Sequence, residues 1–568
     1  MSEPVKYDLK SIQVPRLSGK ALQLSSMIME HPVLKHLVLD RVLKEGGITG
    51  MRTLKIDEPP THIPLSIHPK PKKSYTPPDL SLPSQLPEKS PAEFAFKSTT
   101  HYAQAYRDGT MTPEQVAQRI IESIKDSDTT DPPLKAFRAS DREDLAEQAA
   151  KATQRIKNGK PLSILDGVPV AIKDELDQTP YGTTVGTRFL GKSPARNDAT
   201  VVARLRQAGA LLIGKTNMHE IGIGVTGLNP HHGTVRNPYN PNHYTGGSSS
   251  GSAAAVAAGL CPIAVGADGG GSIRIPAAFC GVVGLKPTYG RVSEFGAAPL
   301  DWSIAHIGPL AATARDAAMA YAIMAGPDPR DKHTLHQPAV TLNGFDDLDL
   351  SDLKLGVYWN WFRHASPSMA ASCEELLKAF EGMGAKIIDI EIPELEAARV
   401  AHIVTISSEM ATAMDRYHEK HAKDFGLDAR INLALARTLT SRDYIQAQCI
   451  RTRTIANFAS VLKKTDLIIT PATGCTAPPI PKDALPDGES NLSVLAEIMR
   501  FAAPPNFTGF PAITFPAGYD GSGLPVGFQA IARPWEEHVL LRLAHAAETC
   551  VKKKRPQIHY SILQDPSS

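Results

Sequence analysis

Two segments rich in glycine and serine are the part of this chain best suited to chemistry. Residues 246–252 read Gly-Gly-Ser-Ser-Ser-Gly-Ser, and residues 268–274 read Asp-Gly-Gly-Gly-Ser-Ile-Arg. Because the side chains are small, several main-chain N–H groups can surround one reacting atom. This suits the oxyanion that develops when Ser272 attacks a carbonyl. The two loops therefore indicate covalent catalysis by a serine.

Flexible linkers and phosphate-binding loops are also rich in glycine and serine. A linker would not run into residues 253–267, an uncharged, alanine-rich segment that predicts a buried helix followed by a strand. Neither loop contains the Gly-Lys-Ser/Thr of a Walker loop, and no Gly-x-Gly-x-x-Gly opens a helix after a strand. A nucleophile site is the interpretation that remains.

A serine nucleophile needs a base, and the sequence offers two kinds. His231, His232 and His243 lie near the loops in a polar segment with Asn and Pro, so a histidine base stays open without further support. A lysine acts as a base only where its surroundings keep it uncharged. Lys173 is the best lysine candidate, because it ends the apolar, strand-like run of residues 168–173.

Composition and charge exclude several classes of function. The 61 basic and 59 acidic residues give a net charge of +2, which provides no electrostatic case for binding nucleic acid. The six cysteines lack zinc-ligand spacing, and we expect neither a metal nor another cofactor. No signal peptide and no apolar run of about 18 residues is present. We therefore expect an intracellular protein, cytoplasmic or peripheral on endomembranes.

Helix and strand patterns alternate from about residue 92 onwards. Apolar runs at residues 168–173, 209–214 and 525–532 predict buried strands, and residues 198–208 and 537–550 predict amphipathic helices. Strands that are apolar on both faces are typical of sheets covered by helices on both sides. The sequence therefore predicts an α/β fold with a central mixed, twisted β-sheet.

The first 91 residues differ from the rest and predict two further units. Residues 1–58 contain helical patterns around 19–30 and from Pro32 onwards, with an apolar stripe, and form an N-terminal helical extension. Residues 59–91 are so rich in Pro, Ser and Lys that they predict a linker or wrapping arm. Residues 92–568 are the predicted catalytic domain.

Several motifs in a fixed order connect these observations. The pattern from Gly246 to Gly290 combines a Gly-Gly-Ser-Ser loop, an alanine-rich helix and a Gly-Gly-Ser-Ile-Arg loop. Residues 167–174 read Gly-Val-Pro-Val-Ala-Ile-Lys-Asp, and Asp-Ala-Thr-Val-Val-Ala-Arg begins at residue 198. Over roughly residues 95–560 the chain resembles the amidase signature enzymes. The resemblance implies the amidase signature fold and hydrolysis of carboxylic amides.

The resemblance also implies a Ser–Ser–Lys triad. Ser272 is then the nucleophile that forms the acyl-enzyme, Lys173 the base, and Ser248 the hydroxyl that relays the proton between them. The peptide between Gly247 and Ser248 would be cis. The implied oxyanion hole consists of the backbone amides of Gly269, Gly270, Gly271 and Ser272. Asp268 and Arg274 are expected to brace the loop as an ion pair.

Two departures from the common pattern point to a narrower resemblance. Gly269 stands where Thr is usual, and Ser250 where Gly is usual. Both look like the plant-type fatty acid amide hydrolases, which hydrolyse N-acylethanolamines, and residues 15–19, 443–449 and 470–481 look like them too. This resemblance implies a homodimer, N-terminal helices beside a lipid channel with peripheral membrane contact, and four candidate pocket residues: Thr226, Met27, Met29 and Ile445.

Other functions stay open at this point. The chain could be a hydrolase of small amides, or the amidase component of a tRNA-dependent amidotransferase, which would need a partner protein. It could also be a non-catalytic ligand-binding module on an amidase fold, since a fold alone does not establish activity. The complete set of Lys173, Ser248 and Ser272 argues against this last alternative.

Overall fold

The computed structural model describes residues 5–64 and 94–563 of the chain. The described residues form fifteen strands. They are β1 (Leu17–Ser18), β2 (Phe137–Ala139), β3 (Pro169–Lys173), β4 (Leu211–Thr216), β5 (Arg236–Asn237), β6 (Asn240–Tyr244), β7 (Ile263–Ala267), β8 (Val283–Lys286), β9 (Ile307–Ala311), β10 (Lys354–Val357), β11 (Lys386–Asp389), β12 (Leu467–Pro471), β13 (Glu489–Ser490), β14 (Ala512–Tyr519) and β15 (Pro525–Ala532).

The same residues form eighteen α-helices. They are α1 (Gly19–Glu30), α2 (His36–Glu45), α3 (Ile48–Met51), α4 (Thr99–Arg107), α5 (Pro113–Ser127), α6 (Arg142–Lys157), α7 (Thr200–Gln207), α8 (Ser250–Ala257), α9 (Arg274–Phe279), α10 (Ala314–Met324), α11 (Trp359–Phe362), α12 (Pro367–Gly382), α13 (Leu395–His421), α14 (Leu427–Ala436), α15 (Ser441–Leu462), α16 (Leu492–Met499), α17 (Ala503–Thr508) and α18 (Glu537–Cys550).

Eleven strands make one mixed sheet in the order β11-β10-β12-β15-β14-β8-β9-β7-β3-β4-β2. In its middle, β3 runs parallel to both β4 and β7, whereas β7 and β9 are antiparallel. Every residue of β3, β7 and β9 is buried, because helices flank the sheet. The predicted α/β fold with a central mixed sheet is confirmed.

Local sequence signals account for two helices that support the sheet. Helix α5 begins after Thr112, whose side chain accepts a hydrogen bond from the N–H of Gln115 while the Gln115 side chain accepts one from Thr112, a complete capping box. Helix α8 is the predicted alanine-rich helix, and all its residues are buried. A Cβ on Gly251 would overlap the carbonyl oxygen of Ala136, so this close approach requires glycine.

The N-terminal extension lies against the later part of the chain. Strand β1 pairs antiparallel with β13, and Arg16 forms an ion pair with Asp483 at 2.7 Å. Helix α1 matches the predicted helix. The second helix begins at His36, not at the predicted Pro32, because residues 32–35 form a turn.

The predicted arm of residues 59–91 is described only at its start. There Thr61 donates its N–H to the carbonyl of Gln448 at 3.1 Å, and Arg451 donates to the carbonyl of His62 at 3.0 Å. Residues 59–64 therefore run along α15. The rest of this arm, residues 65–91, lies outside the described residues. The division of the chain into three units stays a prediction.

Within residues 5–64 and 94–563, none of the helices has the length and apolar character that crossing a lipid bilayer requires.

Candidate active site

The topology of the sheet brings the candidate residues together. Strand β3 ends at Lys173 and its parallel neighbour β7 ends at Ala267, so both strands end at the same edge of the sheet. The glycine loop of residues 268–273 follows β7 directly, and the other serine loop precedes α8, which packs against these strands. Residues far apart in sequence thus meet at one strand edge.

Lys173 and Ser248 are in direct contact. The Lys173 side-chain nitrogen Nζ donates a hydrogen bond to Ser248 Oγ at 2.9 Å and another to the carbonyl oxygen of Ala267 at 3.2 Å. The lysine side chain is only 1% exposed. The peptide between Gly247 and Ser248 is cis, as the resemblance implies. This geometry connects the proposed base to the proposed relay without an intervening group.

Ser272 lies in the wall of the same small cavity, of about 20 Å³, as Lys173 and Ser248. Its main-chain carbonyl accepts a hydrogen bond from the N–H of Ser249 at 3.2 Å, which ties the two loops to each other. Ser272 is almost fully buried. The three predicted triad residues therefore share one enclosed site.

A buried ion pair fixes the shape of the glycine loop. The Asp268 carboxylate accepts the N–H groups of Gly271 at 2.6 Å and Ile273 at 3.0 Å, and Arg274 Nε lies 3.1 Å from it. Arg274 also donates to Gln529 at 2.7 Å. Burial tends to raise the pKa of Asp268, but the charge and hydrogen bonds of Arg274 outweigh burial and hold that pKa well below its ordinary value.

The same hydrogen bonds bear on the predicted oxyanion hole. The N–H of Gly271 already points at Asp268, so it is not available to an oxyanion in this arrangement. Among the described residues, none accepts a hydrogen bond from the N–H groups of Gly269, Gly270 or Ser272. The carbonyl oxygen of Gly269 accepts a hydrogen bond from His402 at 2.8 Å, and burial lowers the pKa of His402 to about 4. The neutral imidazole therefore supports the loop.

Glu175 is a member of the site that the sequence patterns did not reveal. Its carboxylate lies 2.7 Å from Lys173 Nζ, and it lines the same cavity. The two residues stand two positions apart, and Glu175 lies in the turn that directly follows β3. That spacing is the signal that could have revealed the pair.

Asp301 is a second residue that was not predicted, and the sequence contains no local signal for it. It also lines the catalytic cavity, and a Cβ on Gly269 would overlap its Oδ2 atom. Burial raises the pKa of Asp301 well above its ordinary value, and Glu175 and Glu409 raise it further. Glycine at residue 269, where Thr is usual in the family, thus leaves room for the carboxyl of Asp301, 32 residues later in the chain.

The four candidate pocket residues are not in the wall of the catalytic cavity. Met27 and Ile445 are exposed, by 57% and 43%, and Met29 is buried on α1. Thr226 is buried, with its hydroxyl 3.5 Å from His219 Nδ1. Their role in binding substrate stays a prediction.

The candidate histidines are also absent from that wall. His231 contacts Glu220 at 2.8 Å, and His232 contacts the carbonyl oxygen of Thr187 at 3.0 Å. In the part of the chain that the structure describes, no group of three or more His, Cys, Asp or Glu side chains is arranged to hold a metal ion. Of the candidate bases that the sequence offers, Lys173 is the one that contacts a serine of the described site.

Comparison with known proteins identifies the class. The profile of the amidase family matches residues 119–541. The fatty acid amide hydrolase of Arabidopsis thaliana is 40% identical over 98% of this chain and 97% of its own length. A glutamyl-tRNA(Gln) amidotransferase subunit from a Synechococcus strain is 33% identical over 80% of this chain and 98% of its own.

Solved structures agree with these sequence matches. The peptide amidase of Stenotrophomonas maltophilia superimposes with a TM-score of 0.70 at 28% identity, over 81% of this chain and 98% of that one. The chain therefore belongs to the amidase signature family. It is an amidase, a hydrolase of the same kind as the plant fatty acid amide hydrolases, so the predicted family and enzyme class are confirmed.

Proposed function

We propose that the protein hydrolyses carboxylic amides through a Ser–Ser–Lys triad and an acyl-enzyme. Ser272 is the nucleophile, Ser248 the relay and Lys173 the base. The observation that carries this proposal is the 2.9 Å hydrogen bond between Lys173 Nζ and Ser248 Oγ, in the wall of the cavity that also contains Ser272.

The first half of the reaction forms an ester on Ser272. Once unprotonated, Lys173 takes the proton of Ser248, Ser248 takes that of Ser272, and the Ser272 oxygen bonds to the amide carbon. The N–H groups of Gly269, Gly270 and Ser272 donate to the resulting oxyanion. The relay then returns a proton to the departing nitrogen as the carbon–nitrogen bond breaks. Water hydrolyses the ester by the same relay and releases the carboxylic acid.

The substrates are fatty acid amides such as N-acylethanolamines, which yield a fatty acid and an amine. Two observations support this choice over the amidotransferase alternative. The plant fatty acid amide hydrolases match nearly the whole chain, including the N-terminal extension, whereas the amidotransferase relatives match about four fifths of it. The extension also exposes large apolar side chains: Leu24, Met27, Val33, Leu34, Leu37 and Leu54.

This exposed apolar group supports a peripheral contact with a lipid surface, from which a poorly soluble substrate would be taken up. A place in lipid metabolism and a homodimer, as the family resemblance implies, belong to the same proposal.

Labelling with a fluorophosphonate probe tests the nucleophile. The wild-type protein should be labelled and Ser272→Ala should not. Ser250→Ala is a matched control on the neighbouring loop, because the Ser250 hydroxyl makes only a 3.5 Å contact with the carbonyl of Asn217. Labelling of Ser272→Ala at another residue would refute the assignment. Hydrolysis rates for long-chain ethanolamides and for acetamide then test the substrate, and a preference for acetamide would remove the lipid proposal.

A further inference from the structure

We propose that Asp301 is a specificity-determining residue that binds the hydroxyl group on the amine part of the substrate. The inference rests on the proposed function and deepens it, because it names the part of the amide that the site recognises.

The Asp301 side chain is part of the wall of the catalytic cavity. It is 5% exposed and lines the cavity together with Lys173, Ser248 and Ser272. Within residues 5–64 and 94–563, no side chain or backbone group forms a hydrogen bond or an ion pair with its carboxyl. A buried polar group without a partner is costly, so a ligand that supplies the missing hydrogen bonds is favoured there.

The position of Asp301 depends on the glycine opposite it. A Cβ on Gly269 would overlap Asp301 Oδ2 and would also approach the end of the Ile406 side chain, at 3.3 Å. Any side chain at residue 269 would therefore displace the carboxyl from the cavity wall. Gly269 and Asp301 form a matched pair, in which the missing side chain of one residue makes room for the other.

The carboxyl is suited to a neutral hydrogen-bonding group. Burial and the neighbouring carboxylates of Glu175 and Glu409 raise the pKa of Asp301, against the opposing charge of Lys173. A neutral carboxyl both donates and accepts a hydrogen bond, and so does an alcohol. The hydroxyl group of an ethanolamide can therefore both accept a hydrogen bond from the Asp301 carboxyl and donate one to it.

The placement of Asp301 indicates the amine side of the scissile bond. The relay must return a proton to the leaving amine, so the amine departs on the side of Ser248 and Lys173. Glu175, which pairs with Lys173, lies at the boundary between the catalytic cavity and a second cavity of about 380 Å³. Asp301 lies at the same boundary, where an amine group that leaves by that route would pass it.

Paired substrates test the proposal. An N-acylethanolamine and the N-propylamide of the same fatty acid differ only in that a methyl group replaces the hydroxyl. We expect the wild-type enzyme to prefer the ethanolamide in kcat/KM. Asp301→Ala should lower that preference about 10- to 100-fold, because the hydroxyl loses its partner. Asp301→Asn, whose amide also donates and accepts, should retain most of it.

Two results would overturn the proposal. One is a wild-type enzyme with no preference between the two substrates, and the other is an Asp301→Ala variant that keeps the wild-type preference. Fluorophosphonate labelling of Ser272 in each variant shows that the nucleophile is reactive and the chain is folded. Failure of the proposed function would instead appear as unlabelled wild-type protein or as labelling that survives Ser272→Ala.

A second pair of variants tests the fit between the two residues. Gly269→Ala alone should lower kcat/KM for the ethanolamide, because the new methyl group displaces the carboxyl. Adding Asp301→Gly should recover part of the lost turnover but not the preference for the hydroxyl. Gly521→Ala is the matched control, since nothing lies within 4 Å of a Cβ at that residue. If the double variant is no better than Gly269→Ala alone, the two residues are not a matched pair.

Discussion

The catalytic loops and the N-terminal extension differ in how deeply their ion pairs are buried. In the glycine loop, Asp268 and Arg274 are fully buried, and their ion pair ties the loop to β15 through Gln529. The extension buries apolar side chains such as Leu43 and Met51 against α13 and α15, but ion pairs such as that between Arg430 and Glu30 at 2.6 Å reach the surface, and Leu37 is 79% exposed. Buried pairs are costly to break and exposed pairs contribute little. The site of chemistry is therefore fixed, whereas the surface that would meet lipid can be altered without unfolding the enzyme.

The largest effect should follow removal of the base. Lys173→Ala should lower kcat by about 10³- to 10⁴-fold or more, because no other candidate base contacts Ser248 in the described site. The same change leaves Glu175 without its partner, so Lys173→Ala combined with Glu175→Gln separates loss of the base from loss of the ion pair. Steady-state kinetics and thermal unfolding of both variants measure the two effects. A loss of activity below tenfold in the double variant would contradict the assignment of the base.

The buried ion pair of the glycine loop should contribute more to the free energy of unfolding than an exposed ion pair does. Asp268→Asn leaves the Arg274 charge uncompensated and should lower the free energy of unfolding by about 3–5 kcal/mol. Asp346→Asn is the matched control, because its pair with Arg315 is exposed at the aspartate, and about 0–1 kcal/mol is expected. Urea unfolding compares the two, and equal losses would remove the contrast between buried and exposed pairs.

The ion pair between Asp268 and Arg274 should also make the free energy of unfolding depend on pH in the acidic range. The folded-state pKa of Asp268 lies below its ordinary value of about 3.9, so the carboxylate stabilises the fold above that pH. This contribution is lost as the pH falls towards the folded-state pKa. Asp268→Asn should therefore lose stability less steeply below about pH 4 than the wild type does. Unfolding measured across this range would show parallel curves if Asp268 contributed nothing.

Substitutions of exposed apolar residues in the extension should weaken binding to lipid but hardly change the stability of the fold. Val33→Ser with Leu37→Ser should weaken sedimentation with phosphatidylcholine vesicles by about tenfold or more, because two exposed apolar side chains lose their gain from burial in lipid. The free energy of unfolding should change by less than about 0.5 kcal/mol per substitution. Leu348→Ser, an exposed leucine outside the extension, is the control. Unchanged vesicle binding would disprove the lipid contact.

The smallest effect on stability is expected for a single ion pair at the surface. The pair between Arg430 and Glu30 should have a coupling energy of about 0–1 kcal/mol in a double-mutant cycle with alanine at each position. A coupling of several kcal/mol would mean that the extension is locked to the catalytic region as firmly as the glycine loop is.

Features that depend on nearby residues could be predicted from the sequence. The buried strands β3 and β15 and the helices α8 and α18 follow from apolar patterns, and the two serine loops follow from composition. Features that depend on tertiary contacts could not be predicted. Strand β1 has two residues and exists only through β13, and Asp301 reaches the cavity only because the chain folds back over Gly269.

The pairing of β1 with β13 has a consequence for synthesis. A ribosome releases the N-terminal extension first, but its ion-pair partners Arg430 and Glu489 follow 400 and 473 residues later. Throughout most of translation the extension lacks these contacts, and the apolar side chains that it later buries, such as Leu43 and Met51, remain exposed. Such surfaces on nascent chains favour aggregation and engage chaperones. The first segment to be made thus completes its native contacts only late in synthesis, and protecting it in the interval should raise the yield of active enzyme.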